Sequence, residues 1–246
     1  MEIRVCNDKA ALGKSAAEFA AMLINKAIKE KGYATIVLST GASQFDTLLH
    51  LVKQDVDWKK VEMFHLDEYV GIPEIHPASF RKYLKEKFTN LVPIEKVHFI
   101  DGTEENRKIT CSEILKFNID VGLIGIGENS HIAFNDPPAD FETEEPYIVV
   151  NLDDNCKKQQ VGEGWFETVY DVPKQAVSMS VKQIMKCRNI ISCVPYTVKA
   201  DAVLNTLKGE VSCDVPATIL KTHPNFTLYI DRDSASKLSL PIMWQE

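Results

Sequence analysis

Short apolar segments alternate with amphipathic helical patterns along most of this chain, and that alternation limits its possible folds more than any other feature. Residues Thr35–Leu38 form a continuous apolar and β-branched run, whereas Phe45, Leu48, Leu49 and Val52 recur at helical spacing. Strands that are apolar on both faces are typical of parallel sheets covered by helices. The alternation therefore predicts an α/β fold, a Rossmann-like open and mostly parallel sheet with helices on both faces.

The same pattern gives approximate positions for the elements. Strands are predicted at residues 3–6, 35–38, 61–66, 97–100, from 121 onward, and at 147–151, 176–180, 189–194 and 226–230. Helices are predicted between residues 8 and 32, from 43 to 52, and at 80–88, 104–117, 181–186 and 197–207. No internal repeat or linker divides residues 1–246, so we expect one domain.

Residues 153–173 form the least regular segment of the chain. The Gly162–Phe166 stretch within it contains two aromatic side chains, which are compatible with a mobile lid held by aromatic anchors, although the pattern alone slightly favours a plain surface loop.

Composition excludes several classes of function. The formal net charge is -7, and the 28 basic residues form no long run, which argues against nucleic-acid binding. The six cysteines are scattered without a CxxC motif, so no metal site is predicted and the expected setting is a reducing cytoplasm. No apolar run approaches the length of a membrane span.

A turn of small residues follows the second predicted strand and precedes a helix. Backbone N–H groups at such a turn can bind an anion, and hydroxyl groups add further donors. The predicted phosphate-binding residues are Ser39, Thr40, Gly41, Ala42 and Ser43. A capping box of Ser43 with Asp46 is a compatible interpretation. The turn lacks the Walker A and GxGxxG patterns, so no nucleotide cofactor is predicted.

Titratable residues follow several of the predicted strands. Asp67, the pair His131 and Asp136, and Lys199 all lie where a strand is expected to end or a helix to begin. In open parallel sheets, ligands bind at the carboxyl ends of the strands. These positions indicate acid–base chemistry on a small phosphorylated molecule, without a cofactor. The alternatives are a solvated acidic turn at Asp67 and an ordinary helix-surface lysine at position 199.

Two longer motifs carry a family resemblance. The segment Phe64–Pro73, with His76–Phe80, resembles the signature of the glucosamine-6-phosphate deaminase/isomerase family, and Gly125–Pro137 resembles its second signature. The related 6-phosphogluconolactonases typically have Asp-Glu-Arg and His-Thr-Ala at these places. Tyr69 and Ile132 therefore favour the amino-sugar branch.

The resemblance implies a reaction. An amino-sugar 6-phosphate is opened, a proton moves from C2 to C1, and ammonia leaves to give a ketose 6-phosphate. By the same resemblance Asp67 is the base for the C2 proton, His131 transfers protons during ring opening, Asp136 orients the imidazole, and Lys199 contacts phosphate. The expected partner is a small sugar phosphate, with no cofactor and a possible homo-oligomer.

The chain also departs from the family pattern. Asn129 stands where the family usually has Asp, and Asp136 where it usually has Glu. Asn129 is expected to hydrogen-bond the imidazole but to bring no negative charge that would stabilise an imidazolium. Asn129→Asp, which supplies that charge, is therefore expected to speed ring opening. The lid lacks the family's phosphate-binding Arg, which Lys157 or Lys158 would replace. Galactosamine 6-phosphate as substrate, a lactonase-like hydrolase and a non-catalytic sugar-phosphate regulator remain alternatives.

Overall fold

The computed structural model describes residues 1–162 and 164–239, without the side chain of Asn155. The strands are β1 Glu2–Cys6, β2 Ala34–Leu38, β3 Val61–His65, β4 Asp67–Tyr69, β5 Lys96–His98, β6 Val121–Leu123, β7 Tyr147–Asn151, β8 Gln175–Met179, β9 Ile190–Val194 and β10 Phe226–Asp231. The α-helices are α1 Lys9–Lys31, α2 Phe45–Leu51, α3 Phe80–Leu84, α4 Glu104–Ile114, α5 Asp154–Gly162, α6 Val181–Met185 and α7 Ala200–Lys208.

A seven-stranded sheet forms the centre, in the order β1-β10-β9-β6-β2-β3-β5. Every pair of neighbours in it is parallel. Strand β2 is buried along its whole length, and its residues alternate between two cores. Ile36 and Leu38 pack with α1, whereas Val37 packs with Phe64 on the opposite face. The predicted α/β fold with helices on both faces is confirmed.

Local signals explain the ends of the long helix α1. Asp8 precedes it, and its carboxylate accepts a 2.8 Å hydrogen bond from the N–H of Ala11. Gly32 ends it in the left-handed conformation at φ 87°. The helical spacing of Phe45, Leu48, Leu49 and Val52 predicts one buried face for α2, and that prediction is partly wrong. Phe45 and Leu49 are 40% and 52% exposed.

The capping box predicted at the start of α2 does not form. A 3-10 turn at Ala42–Gln44 precedes the helix, and no side chain caps its first N–H groups. The hydroxyl of Ser43 instead accepts a 3.2 Å hydrogen bond from the amide of Gln44. Because the turn tightens the chain before the helix begins, Ser43 is already inside it and cannot cap.

A second sheet, β4-β8-β7, is antiparallel and was not predicted as a separate unit. The chain enters it through Leu66, whose N–H donates to the carbonyl of Leu38 at 3.2 Å. The carbonyl of Leu66 accepts from the N–H of Met179 in β8 at 2.9 Å. Leu66 thus joins the two sheets, and Asp67 begins β4 directly at their junction.

The predicted lid contains helix α5, which the sequence pattern did not reveal. This nine-residue helix is polar and buries chiefly Cys156 and Gln160, so it has no apolar stripe to detect. Phe166 packs edge-on against Tyr69 at 5.4 Å between ring centroids. Glu163 of the lid and residues 240–246 of the predicted domain lie outside the described residues.

Among the helices of the described ranges, none combines the length and the apolar character that a membrane span requires.

Candidate active site

A cavity of about 160 Å³ opens at the carboxyl edge of the parallel sheet. It brings together the whole predicted anion turn, Asp67, His131 and Lys199. Parallel strands end at this edge, so residues distant in sequence meet there. Asn129 and Asp136 do not line the cavity; they lie behind His131.

The turn at residues 39–43 offers unpaired donors to the cavity. The N–H of Ser39 continues the sheet by donating to Leu123 at 3.0 Å, but its hydroxyl is buried without a hydrogen-bond partner. Within the described residues, the N–H groups of Thr40 and Gly41 donate to no acceptor. Gly41 has φ 97°, which other residues rarely adopt. Such a turn suits an anion with several oxygen atoms.

Lys199 lies at the end of the 3-10 turn Thr197–Lys199, just before α7. Its side chain lines the cavity together with the anion turn and is only 8% exposed. The interpretation of Lys199 as an ordinary helix-surface lysine is therefore wrong.

Asp67 is a buried carboxyl group on the wall of the cavity. Burial, with a smaller contribution from the neighbouring charge of Glu68, raises the pKa of Asp67 to about 8. No hydrogen bond from the described part of the chain offsets that burial. A carboxyl group with such a raised pKa is a stronger base, once deprotonated, than an ordinary aspartate.

Glu68 has a different role although it is adjacent. Its carboxylate accepts hydrogen bonds from the N–H groups of Tyr69, Phe80 and Arg81 and from the hydroxyl of Ser79. The guanidinium of Arg81 lies 3.1 Å away. These bonds satisfy the carboxylate and tie the start of α3 to β4. The Asp67–Tyr69 segment is fully buried, so the alternative of a solvated acidic turn is wrong.

His131, Asp136 and Asn129 form one polar group. His131 Nδ1 lies 3.0 Å from Asp136 Oδ1, though not aligned as a hydrogen bond. Asn129 donates its amide to the same Oδ1 at 2.9 Å, and its own oxygen accepts the backbone N–H of His131 at 3.1 Å. Asn129 therefore contacts the Asp136 carboxylate and the His131 backbone. The sequence-based expectation that it hydrogen-bonds the imidazole ring is wrong.

The pKa of Asp136 follows from these contacts. Burial alone would raise it, but His131, Asn129 and Cys156 of the lid helix outweigh burial and hold the pKa of Asp136 below its ordinary value. Asp136 is thus an anion at neutral pH. An anion beside Nδ1 favours one orientation of the imidazole.

The loop that carries His131 is held in an unusual conformation. Ser130 and Ala133 have φ 68° and 51°, values that cost energy in residues other than glycine. Asn135 supports the loop by donating to the carbonyls of Ile132 and Met179 at 2.8 and 2.9 Å. The imidazole lies directly on Gly127, where a Cβ atom would fall 2.2–2.5 Å from three ring atoms.

The lid contributes amides and one indole to the cavity. Gln159, Gln160 and Trp165 line it, whereas Lys157 and Lys158 do not. The expectation that one of these lysines replaces the missing Arg is therefore wrong. Lys157 faces Asp154 at 4.0 Å instead. Gln160 accepts a 2.6 Å hydrogen bond from the hydroxyl of Tyr69, which anchors the lid to β4.

Sequence reasoning missed several residues of the site. Asn135 lies inside the second signature but had no predicted role, and its support of the loop depends on a contact with Met179. Gln160 and Tyr196 carry no motif of their own, and their roles arise only from contacts with distant segments. Tyr69 was noted as a family marker, but its bond to the lid was not foreseen. No group of three or more potential ligands within the described residues is arranged to hold a metal ion.

Comparison with known proteins decides the family. A family profile described as "Glucosamine-6-phosphate isomerases/6-phosphogluconolactonase" matches residues 7–229, most of the chain. The chain belongs to this family. The predicted resemblance is thereby confirmed, and the chemistry of the cavity can be compared with that of relatives.

Curated relatives share the family at moderate identity. A glucosamine-6-phosphate deaminase of Staphylococcus epidermidis is 38% identical over 226 residues, covering 85% of this chain and 90% of the relative. A glucosamine-6-phosphate deaminase of Thermoanaerobacter pseudethanolicus is 33% identical over 228 residues, covering 88% of each.

Solved structures give the same family fold. A monomeric glucosamine-6-phosphate deaminase superposes with a TM-score of 0.85 at 28% identity, covering 96% of this chain and 99% of the other. A 6-phosphogluconolactonase of Thermotoga maritima superposes with a TM-score of 0.78 at 16% identity, covering 94% and 99%. The second likeness shows a shared fold alone.

Proposed function

We propose that this protein is an amino-sugar-6-phosphate deaminase/isomerase that converts glucosamine 6-phosphate to the ketose 6-phosphate and ammonia. The main support is the buried Asp67 carboxyl, which accepts no hydrogen bond from the described residues and lies in the same cavity as an anion turn and His131. Curated relatives named glucosamine-6-phosphate deaminase add weight. Galactosamine 6-phosphate, which differs only at C4, stays an alternative substrate, and a homo-oligomer stays a prediction.

The phosphate is expected to bind the turn at residues 39–43. The buried Ser39 hydroxyl and the N–H groups of Thr40 and Gly41 are available there as donors. Lys199 supplies positive charge to a protein that is otherwise acidic. Charge-assisted hydrogen bonds to phosphate are among the strongest that a protein makes. This anchoring would orient the sugar in the cavity.

Ring opening is assigned to His131. The imidazole exchanges protons with the ring oxygen and the anomeric hydroxyl, while Asp136 orients the ring. Asn129 keeps the carboxylate in place through its bonds to Asp136 and to the His131 N–H. Asn129, Asp136 and His131 thus act as one unit, with only the imidazole in contact with the cavity.

Proton transfer is assigned to Asp67. In its deprotonated form it takes the proton from C2 of the open-chain sugar and returns it to C1. This transfer leaves an imine at C2, and addition of water to that imine gives a carbinolamine, which loses ammonia and leaves the ketose. Burial of the carboxyl group raises its pKa and so brings its basicity closer to what abstraction from carbon requires.

The test is a comparison of substrates. Wild-type protein is incubated separately with glucosamine 6-phosphate, galactosamine 6-phosphate and 6-phosphogluconolactone, and ammonia, ketose and free acid are measured. The proposal expects ammonia and ketose in equal amounts from glucosamine 6-phosphate, and their loss in Asp67→Asn. Turnover of the lactone alone identifies a hydrolase. Binding of the sugar phosphates without any turnover identifies a regulator.

A further inference from the structure

Tyr196 has a strained backbone next to the anion turn. Its φ is 81° and its ψ is 144°, a conformation that a bulky side chain adopts only when its surroundings impose it. Asp231, 2% exposed at the end of β10, accepts the N–H of Tyr196 at 3.1 Å. The same carboxylate accepts the N–H of Ser234 at 2.8 Å, which fixes its position. A buried carboxyl group thus holds Tyr196 in this conformation.

The strained backbone directs the phenol toward the anion turn. The Tyr196 hydroxyl donates a 3.3 Å hydrogen bond to the carbonyl of Ala42, and the residue lines the cavity. The Ala42 carbonyl also accepts the N–H of Phe45 at the end of the 3-10 turn. Two donors from different parts of the chain therefore hold this one peptide carbonyl.

Because the Ala42 carbonyl and the Ser43 N–H belong to one peptide group, fixing the carbonyl also fixes the direction of this N–H donor. In a trans peptide the carbonyl of Ala42 and the N–H of Ser43 point in opposite directions. Holding the carbonyl between Tyr196 and Phe45 sets the direction of the Ser43 N–H and the shape of the turn before any ligand arrives. Donors arranged in advance bind an anion more tightly, because the ligand does not have to order them.

We propose that Tyr196 is a positioning residue of the phosphate subsite, holding the turn at residues 39–43 through the Ala42 carbonyl. The inference rests on the proposed function, since it takes phosphate as the anion. Tyr196 acts on the turn, so its hydroxyl affects phosphate affinity and not the chemistry at C1 and C2.

The test uses Tyr196→Phe, which keeps the ring and loses only the hydroxyl. We expect the inhibition constant of inorganic phosphate and the KM for glucosamine 6-phosphate to rise together, about fivefold, the usual effect of one neutral hydrogen bond. The kcat is expected to stay within about twofold of the wild type. Tyr170→Phe is the matched control, because Tyr170 is 93% exposed.

A second variant at the same position shows whether weak phosphate binding comes from loss of the hydroxyl or from a disturbed fold. Tyr196→Gly relieves the backbone strain and also lacks the hydroxyl, so it is expected to weaken phosphate binding at least as much. Unchanged phosphate inhibition in Tyr196→Phe overturns the inference, as does a loss of kcat with KM unchanged. Weak binding confined to Tyr196→Gly overturns it too. A wild-type protein that neither binds phosphate nor turns over the sugar phosphate overturns the proposed function instead.

Discussion

Asn129 donates its side-chain amide to Asp136 at 2.9 Å, and it does so at the same oxygen that faces His131. Asn129 is therefore a hydrogen-bond donor to the only carboxylate that contacts this imidazole among the described residues. The sequence suggests that Asp at position 129 would add useful charge beside His131. The hydrogen bonds of Asn129 predict the opposite effect, since Asp would replace the donor by a second acceptor.

Asn129→Asp is accordingly expected to lower kcat for amino-sugar phosphate turnover about tenfold or more, through loss of a hydrogen bond to a charged group and repulsion of like charges. The exposed Asn118 provides a control, because Asn118→Asp adds the same charge at a residue that does not line the cavity. The double variant Asn129→Asp with Asp136→Asn restores one donor and one carboxylate and should recover part of the activity. A faster Asn129→Asp enzyme would show that charge at position 129 outweighs the lost bond.

Gly127→Ala is expected to lower kcat about 100-fold, because the new methyl group would occupy the position of the His131 ring. Steady-state turnover and thermal unfolding are measured together to separate displacement of the ring from loss of the fold. Gly162→Ala is the matched control, since a Cβ there meets nothing within 4 Å. Full activity in Gly127→Ala would mean that the imidazole is not needed where the structure has it.

Asp67→Asn is expected to stabilise the protein while it abolishes turnover. Burial raises the pKa of Asp67 to about 8, so between about pH 4 and pH 8 the folded protein binds a proton there that the unfolded chain has released. Wild-type stability therefore falls as pH rises through this range, by up to about 1.4 kcal/mol per pH unit. Asn has no such titration. Thermal unfolding of both proteins should show an advantage for the variant that grows from pH 5 to pH 8 and then levels off. An advantage that shrinks with pH would contradict the raised pKa.

The Asp67 carboxyl group should also determine how kcat/KM rises on the acidic side of its pH profile. As the base, Asp67 must be deprotonated, so kcat/KM for glucosamine 6-phosphate is expected to rise with pH toward about 8. A phosphate monoester loses its second proton near pH 6, so a limb close to 8 does not come from the phosphate group. A limb near pH 4 would indicate an ordinary, solvated carboxylate.

The central sheet and the composition of the site were predictable because both depend on short-range patterns. Continuous apolar runs such as Thr35–Leu38 identify buried parallel strands, and polar residues after them fall at one edge of the sheet. Asp67, His131, Lys199 and the anion turn were found in this way.

The remaining features depend on contacts that have no local pattern. The antiparallel sheet arises because the chain turns at Leu66, so that β4 pairs with β8. A single leucine in the sequence gives no signal for such a change of sheet. Helix α5 packs through Cys156 and Gln160 instead of an apolar stripe. The role of Asn129 could be recognised only once the structure showed its contact with Asp136, seven residues later. The conformation of Tyr196 likewise depends on a hydrogen bond to Asp231, 35 residues away in the sequence.

The most direct test of the account follows the hydrogen at C2. Glucosamine 6-phosphate deuterated at C2 is given to the wild-type protein in ordinary water, and the products are examined by NMR and mass spectrometry. The account predicts that deuterium leaves C2 and appears at C1 of the ketose or in the solvent, with a slower rate than for unlabelled substrate and no release by Asp67→Asn. A product that keeps deuterium at C2, or undiminished release by Asp67→Asn, would contradict it.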